Sequence, residues 1–127
     1  MTTKHHKAQW LRDNLKNGEV YAGLILGKDG APDHHLIVIP GEIEKATFAE
    51  AQKWAKKHGG DLPTRREQRV LFANAKEAFQ ADWYWSGEPY ASDARFAWCQ
   101  SFNDGYQFSN DVSTHCRARA VRRLIIE

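Results

Sequence analysis

Histidine is the residue type in this chain best suited to acid–base or metal chemistry, and there are six histidines. Four of them form two adjacent pairs, His5–His6 and His34–His35. Adjacent side chains point in opposite directions in an extended segment, so neither pair forms a bidentate site by itself. The sequence also lacks a Ser-His-Asp order, a glycine-rich phosphate loop and a His-Glu-x-x-His motif. It therefore predicts a protein that is not an enzyme and that carries no cofactor.

The two cysteines, Cys99 and Cys116, lack the Cys-x-x-Cys spacing that is typical of zinc sites. In a reducing compartment we expect both to be free thiols that pack as small buried hydrophobes. A disulfide remains the alternative, because the two residues could lie on neighbouring strands.

Residues of the predicted turns carry the clearest signal for binding. Tyr, Ser, Asn and Arg on turns combine rigid aromatic anchors with adaptable hydrogen-bonding groups, as antibody paratopes do. The sequence therefore predicts a face that binds a partner, and ordinary solvated loops are the alternative. The candidate residues of this face are Tyr90, Ser92, Asp93, Arg95, Asn103, Asp104, Tyr106, Phe108, Asn110, Asp111 and His115.

Arginines form two groups that could hold phosphates. Arg65 and Arg69 share one face of a predicted helix, and four more arginines lie within residues 117–123. The alternative is that the closing arginines pair with acidic groups such as Glu67 or extend along the sheet. The net charge is only +2, so we expect no strong nonspecific binding of nucleic acid.

The bulk composition is that of one globular domain. Of 127 residues, 42% are hydrophobic and 27% are charged, which is ordinary for a soluble chain. No apolar run is long enough to span a bilayer. The N-terminal residues MTTKHHKAQWLRDN are positively charged but precede no apolar run, so they do not resemble a secretory signal. We therefore expect a cytoplasmic protein without membrane contact.

The pattern along the chain predicts an α+β domain. Residues 1–18 form a polar, partly helical arm, and residues 19–127 form the domain. Apolar runs at 20–26 and 34–40, separated by Gly, Asp and Pro, predict a β-hairpin. After two helices come several short strands, an Asn-Asp-Gly turn and one closing strand in ARAVRRLIIE. Because helices and strands do not alternate, a parallel βαβ sheet is not predicted.

Two capping boxes predict where the helices begin. Thr47 precedes Glu50 by three residues, and Thr64 precedes Glu67 by the same spacing, which satisfies two orphan N–H groups at each helix start. Gly59 and its neighbour glycine end the first of these helices. Apolar residues at helical spacing follow each box and predict one buried face per helix.

This order of elements and several specific segments resemble the prokaryotic C-type-lectin-like domains. They resemble in particular the domain at the C-terminus of the Legionella collagen-like adhesin, a domain that also occurs as small stand-alone phage and prophage proteins. The segments that carry the resemblance are GGDLPTRREQRVLF, YWSGEPYASDARFAWCQSFNDGYQ and RARAVRR, within residues 20–126. The resemblance implies that the terminal strands pair, that two helices pack on the sheet, and that a long loop region projects from it. Trp85 and Trp98 are then expected as structural residues, either in the core or at the base of that loop region.

Calcium is considered because sugar-binding members of that family use it, through Glu-Pro-Asn and later Trp-Asn-Asp elements. This chain has Glu-Pro-Tyr at 88–90 and Phe-Asn-Asp at 102–104. Glu88, Asn103 and Asp104 offer the hard oxygen ligands that Ca²⁺ requires. Tyr and Phe, however, replace the amide ligand and the Trp, so we do not expect a metal site.

The resemblance implies a small cytoplasmic binding module of phage or prophage type within its bacterial host. Its expected partner is another protein, for example a component of host defence in an accessory role. The alternative is a glycan-binding module, with or without Ca²⁺, as in the adhesin relatives.

Overall fold

The computed structural model describes residues 3–126, which form three α-helices, a short 3-10 helix and eight strands. The helices are α1 (Thr3–Asn14), α2 (Phe48–Lys57) and α3 (Arg65–Asn74), and the 3-10 helix is Lys76–Ala78. The strands are β1 (Val20–Ile25), β2 (His34–Val38), β3 (Ile43–Ala46), β4 (Trp83–Pro89), β5 (Phe96–Ser101), β6 (Gln107–Asp111), β7 (Cys116–Ala118) and β8 (Val121–Ile125). The predicted α+β class is confirmed.

A three-stranded antiparallel sheet contains both the first and the last strand, in the order β1-β2-β8. The predicted hairpin is confirmed as β1 and β2, with Val20 opposite Val38 and Ile25 opposite His34. The expectation that the terminal strands pair is wrong in detail. β2 lies between them and pairs with both, because its Leu-Ile-Val run is buried and accepts a neighbour on each edge.

A five-stranded sheet has the order β3-β7-β4-β5-β6, in which β4 and β7 are parallel and the other pairs are antiparallel. The sequence did not predict β3, whose middle residues Glu44 and Lys45 are exposed. The predicted closing strand is confirmed as β8, although it begins at Val121 and not at Ala118. Strand β7 lies mostly in a segment predicted to be a loop, and it joins the five-stranded sheet.

Both predicted helices are confirmed together with their capping boxes. The Glu50 N–H donates to Thr47 Oγ1 at 3.3 Å, and the Glu67 N–H donates to Thr64 Oγ1 at 3.0 Å. Helix α2 packs on β3, β4 and β7 of the five-stranded sheet, whereas α3 contacts β1 and also β4 and β5. Helix α3 therefore joins the two sheets.

The two tryptophans expected to be structural differ in their burial. Trp85 is 0% exposed, and its Nε1–H donates to the Ala46 carbonyl at 2.8 Å. Trp98 is only partly buried, because its side chain lies on the opposite face of the sheet beneath Arg65 and beside Tyr90. Of the two expected places, Trp98 therefore lies at the base of the β4–β5 loop and not in the core.

The N-terminal helix contacts the hairpin through one aromatic residue. Trp10 packs against Tyr21 and His35, at ring-centroid distances of 5.2 Å and 4.2 Å. The Tyr21 hydroxyl lies 2.8 Å from His35 Nδ1. Within residues 3–126, no helix is long and apolar enough to cross a membrane.

Candidate functional site

A partly buried ion-pair cluster contains Arg123, one of the closing arginines. The Glu67 carboxylate, 1% exposed, accepts from Arg123 Nε at 2.7 Å and from Arg123 Nη2 at 2.8 Å, and it lies 2.7 Å from His34 Nε2. Arg123 also binds Asp61 at 3.0 Å. Burial raises the pKa of Glu67, but hydrogen bonds from Arg123 and from the Thr64 backbone outweigh it and hold that pKa below its ordinary value. We call Glu67, Arg123, His34 and Asp61 the acid hub.

The other closing arginines also have partners within the fold. Arg122 binds Glu19 at 2.8 Å. Arg117 bridges two carboxylates, Glu42 at 2.5 Å and Asp82 at 2.9 Å. Arg119 donates to the carbonyls of Ala78 and Ile39, at 2.5 Å and 2.9 Å. The prediction that the closing arginines pair with groups of the same chain is therefore confirmed, and they tie strands β7 and β8 to the rest of the fold.

Strand β6 is an edge strand of the five-stranded sheet. The Val112 N–H donates to Arg95 O at 2.9 Å, and the Ser101 N–H donates to Tyr106 O at 2.9 Å. In an antiparallel pair, the backbone N–H and C=O groups of alternate residues point towards the neighbouring strand. These two bonds show that the backbone groups of the even-numbered residues of β6 point towards β5. The backbone N–H groups of Gln107 and Ser109 therefore point away from the sheet, towards solvent.

Exposed aromatic side chains line one face beside this edge. Phe108 is 49% exposed and Tyr106 is 61% exposed, and their rings stack at 6.3 Å. Trp83 on β4 meets Phe108 edge to face at 6.5 Å. We call Trp83, Phe108 and Tyr106 the aromatic row. A row of this kind on a surface is typical of a recognition site, because large rigid rings bind at little cost in conformational entropy.

An arginine lies on the opposite face of the same edge. The Arg65 guanidinium stacks on the Trp98 ring, 3.5 Å from its centroid, and its Nε donates to Gln107 Oε1 at 3.0 Å. Gln107 Nε2 donates in turn to the Arg65 carbonyl at 2.8 Å. A cavity of about 410 Å³ opens here. We call it the arginine pocket, lined by Arg65, Arg69, Asp104, Gly105, Tyr106 and Gln107.

A second cavity, of about 240 Å³, lies at the base of the aromatic row. Trp83 forms one wall of this cavity, and the polar residues that line it include Asn110, His115 and Asp82. Cys116 also lines this cavity, although the residue is only 6% exposed. The cavity thus combines an aromatic face with hydrogen-bonding groups, which suits a small polar ring better than an apolar ligand.

Cys99 and Cys116 are buried free thiols that hydrogen bond to each other. Cys99 Sγ lies 3.3 Å from the Phe108 carbonyl and accepts from Asn110 Nδ2 at 2.9 Å. The hydrogen bond with Cys116, together with that from Asn110, lowers the pKa of Cys99 against the effect of burial. The hydrogen bond with Cys99 and burial raise the pKa of Cys116. The pair packs within the core cluster beside Trp85.

The predicted binding residues do not form one surface. The structure brings five of them together along β6 and its flanking turns: Asp104, Tyr106, Phe108, Asn110 and His115. Tyr90, Asp93 and Arg95 lie in the β4–β5 loop, next to the end of β6 that holds Asn110 and far from Tyr106, which pairs at the other end of β5.

In the β4–β5 loop, two of the predicted binding groups neutralise each other. Arg95 Nη2 binds Asp93 Oδ2 at 2.7 Å on the protein surface, and this bond lowers the pKa of Asp93. Tyr90 packs against Trp98 at 5.6 Å. This loop therefore presents less unpaired charge than its sequence indicates.

The residues considered for calcium have other roles. Glu88 Oε2 accepts the Arg65 backbone N–H at 2.6 Å. Asp104 Oδ1 accepts the Tyr106 N–H at 3.1 Å, and Asn103 donates its own N–H to Ser101 Oγ. The Asn-Asp-Gly turn is confirmed, with Gly105 at φ +83°. In the part of the chain that the structure describes, no three Asp, Glu, His or Cys side chains form a group able to hold a metal ion.

Sequence reasoning missed Trp83 as a binding residue and did not predict that Trp98 supports Arg65. The position of Trp83 next to the apolar β4 run favoured burial, and nothing in the local pattern shows that its ring meets Phe108 of β6. The partnership of Arg65 with Trp98 joins residues 33 positions apart, which no local pattern indicates.

Comparison of the sequence with protein-family models and with curated proteins finds no match. The resemblance to C-type-lectin-like domains therefore stays a prediction from the sequence.

Proposed function

We propose that this protein is a binding module, not an enzyme, and that it recognises another protein at strand β6. The observation that carries the proposal is the β6 edge itself, where outward-facing peptide groups lie beside the aromatic row. Edge strands of natural proteins are usually short, covered or charged, because an open edge invites pairing. Here the edge instead presents Tyr106 and Phe108 to solvent.

The recognition mode that fits this edge is addition of a strand. An extended segment of the partner pairs its backbone with Gln107 and Ser109, and its side chains on one face pack against the aromatic row. Backbone hydrogen bonds then supply affinity and the aromatic rings supply selectivity.

We further propose a C-type-lectin-like fold and a phage-type accessory role in the cytoplasm of a bacterial host, with a protein such as a host-defence component as the partner. Three features support the fold: the first and last strands share one sheet, two capped helices pack on the sheets, and the segment from β4 to β7 carries the exposed loops. The sequence resemblance alone supports the accessory role.

Site-specific photo-crosslinking tests the binding mode. A photoreactive benzoylphenylalanine replaces Phe108, and the matched control places the same group at Lys28, in the exposed turn between β1 and β2. Both proteins are irradiated in a lysate of the natural host. We expect one protein adduct from position 108 that is absent from position 28. The same adduct should disappear with Ser109→Pro, which removes an outward N–H but leaves the bonds to β5 intact.

Adducts that are identical from both positions, or that persist with Ser109→Pro, would overturn the proposal. A melting-temperature scan of Ser109→Pro shows whether the variant still folds. If it does not, Ser109→N-methylalanine introduced by semisynthesis removes the same N–H.

A glycan ligand is the second candidate, favoured by the cavity of about 240 Å³ beside Trp83. Aromatic faces pack on sugar rings, and Asn110 and His115 offer hydrogen bonds there. Binding to host polysaccharide that is lost with Trp83→Ala but retained with Ser109→Pro supports this candidate. Loss of that binding in EDTA indicates a calcium-dependent lectin.

A further inference from the structure

The two faces beside the β6 edge differ in chemistry. Side chains alternate across a strand, so Phe108 lies on the face of the aromatic row and Gln107 lies on the face of the arginine pocket. A strand that pairs with β6 alternates in the same way. One set of its side chains meets aromatic rings, and the other set meets the arginine pocket.

Arg65 is held in position before any partner arrives. Trp98 supports the flat face of the guanidinium, and Gln107 fixes Nε. Within residues 3–126, the two terminal Nη nitrogens of Arg65 make no hydrogen bond. A guanidinium fixed in this way presents its terminal nitrogens for a bidentate bond to a carboxylate at little entropic cost.

The charge of the arginine pocket is positive. Arg69 follows Arg65 by one helical turn, is exposed, and forms no ion pair in the described part of the chain. Asp104 is the one acidic residue among those lining the pocket, and it already accepts the Tyr106 N–H. The pocket therefore holds two positive charges and one negative charge, and a bound anion would neutralise the excess positive charge.

We infer that the partner segment is an extended strand in which apolar residues alternate with Asp or Glu, and that Arg65 and Arg69 bind those acids. This inference rests on the proposed function. Two arginines about 5–6 Å apart on one helix face fit one or two carboxylates of a single strand. A single-stranded nucleic acid needs a longer positive groove with a row of phosphate contacts.

Two synthetic peptides test the inference on the full chain. One is acetyl-Ser-Val-Glu-Val-Glu-Val-Ser-amide, and in the other lysine replaces both glutamates. Binding is followed by NMR through the Arg65 Nε–H and Trp98 indole signals. We expect saturable binding of the glutamate peptide, with an affinity at least about fivefold higher than that of the lysine peptide, as one or two surface charge pairs allow.

Variants of the protein assign that preference to the arginines. Arg69→Gln and Arg65→Lys should each reduce the preference for glutamate by about twofold to fivefold. Arg12→Gln removes the same charge as Arg69→Gln from the exposed helix α1 and should leave the preference unchanged.

The outcomes separate this inference from the proposed function. If both peptides bind equally and Ser109→Pro abolishes both, the edge recognises a strand but the acidic preference is wrong. If neither peptide binds at millimolar concentration, the inference is overturned, whereas the crosslinking result still decides the proposed function. A preference that survives Arg69→Gln and Arg65→Lys also overturns the inference.

Discussion

Helix α3 uses its charged residues in opposite ways on its two sides. On the buried side, Glu67 is saturated by Arg123, His34 and the Thr64 backbone. On the other side, Arg65 is oriented by an aromatic ring and an amide, yet its terminal nitrogens make no bond within residues 3–126. The same helix thus contributes to the acid hub and to the arginine pocket.

The difference separates architecture from recognition. A buried charge must be paired, because an unpaired one destabilises the fold by several kcal/mol. The ion pairs of the acid hub are therefore explained by the stability of the fold. Arg65 is only partly buried, so its terminal nitrogens carry no such requirement. Under the proposed function, these nitrogens are the groups that bind the partner.

Removing the centre of the acid hub should have the largest effect. Glu67→Ala empties a buried site, leaves the half-buried Arg123 partly unpaired and breaks the α3 capping box, at a cost of about 3–5 kcal/mol in the free energy of unfolding. Urea denaturation measures this loss. The matched control is Glu50→Ala, the same capping-box position in α2, where the carboxylate is exposed. Equal losses for the two variants would contradict a structural role for the hub.

The second largest difference in stability is expected between substitutions of two tryptophans, one on each side of this comparison. Trp85→Ala empties a fully buried site and should cost about 3–5 kcal/mol. Trp98→Ala removes a half-buried ring and its stacking with Arg65, and should cost roughly 1–2 kcal/mol. Urea denaturation of both variants tests the order. A loss of stability for Trp98→Ala as large as that for Trp85→Ala would show that Trp98 belongs to the core. It would then argue against a role for Trp98 in the arginine pocket.

Acid should destabilise the protein through the hub. The folded state lowers the pKa of Glu67, so its contribution to stability is complete above its ordinary pKa of 4.5 and disappears as the pH falls through the lowered value. We expect the urea midpoint of the wild type to fall more steeply below pH 4.5 than that of Glu67→Gln. Parallel pH profiles for the two proteins would show that Glu67 does not contribute.

The smallest effect on stability is expected at the recognition edge. Phe108→Ser removes a ring that is half exposed, and the melting curve should correspond to a change within about 0.5 kcal/mol. The same variant should lose partner capture. A large drop in stability would instead make Phe108 part of the fold.

The sequence predicted those parts of the fold that depend on neighbouring residues. The capping boxes at Thr47 and Thr64 act within four residues, so both helices were predicted together with their starts. Strand β3 was missed because its middle residues are polar and exposed. Strand β7 was missed because it has only three residues and depends on pairing with β3 and β4, which are distant in the sequence.

The candidate site was predicted only in part, for a related reason. Turn composition identified Tyr106 and Phe108, which the structure exposes. It also grouped them with Asp93 and Arg95, which sheet register places at the other end of β5. The contact between Arg65 and Trp98 depends on how α3 packs on the sheet, and amino-acid composition does not predict that packing.

Amide hydrogen exchange of residues 106–110, with and without the captured partner, tests the central claim most directly. In the free protein the Phe108 and Asn110 amides should exchange slowly, because they face β5, and the Gln107 and Ser109 amides should exchange rapidly. On binding, Gln107 and Ser109 should become protected. Rapid exchange of these two amides in the complex, with new protection elsewhere, would show that β6 is not the recognition strand.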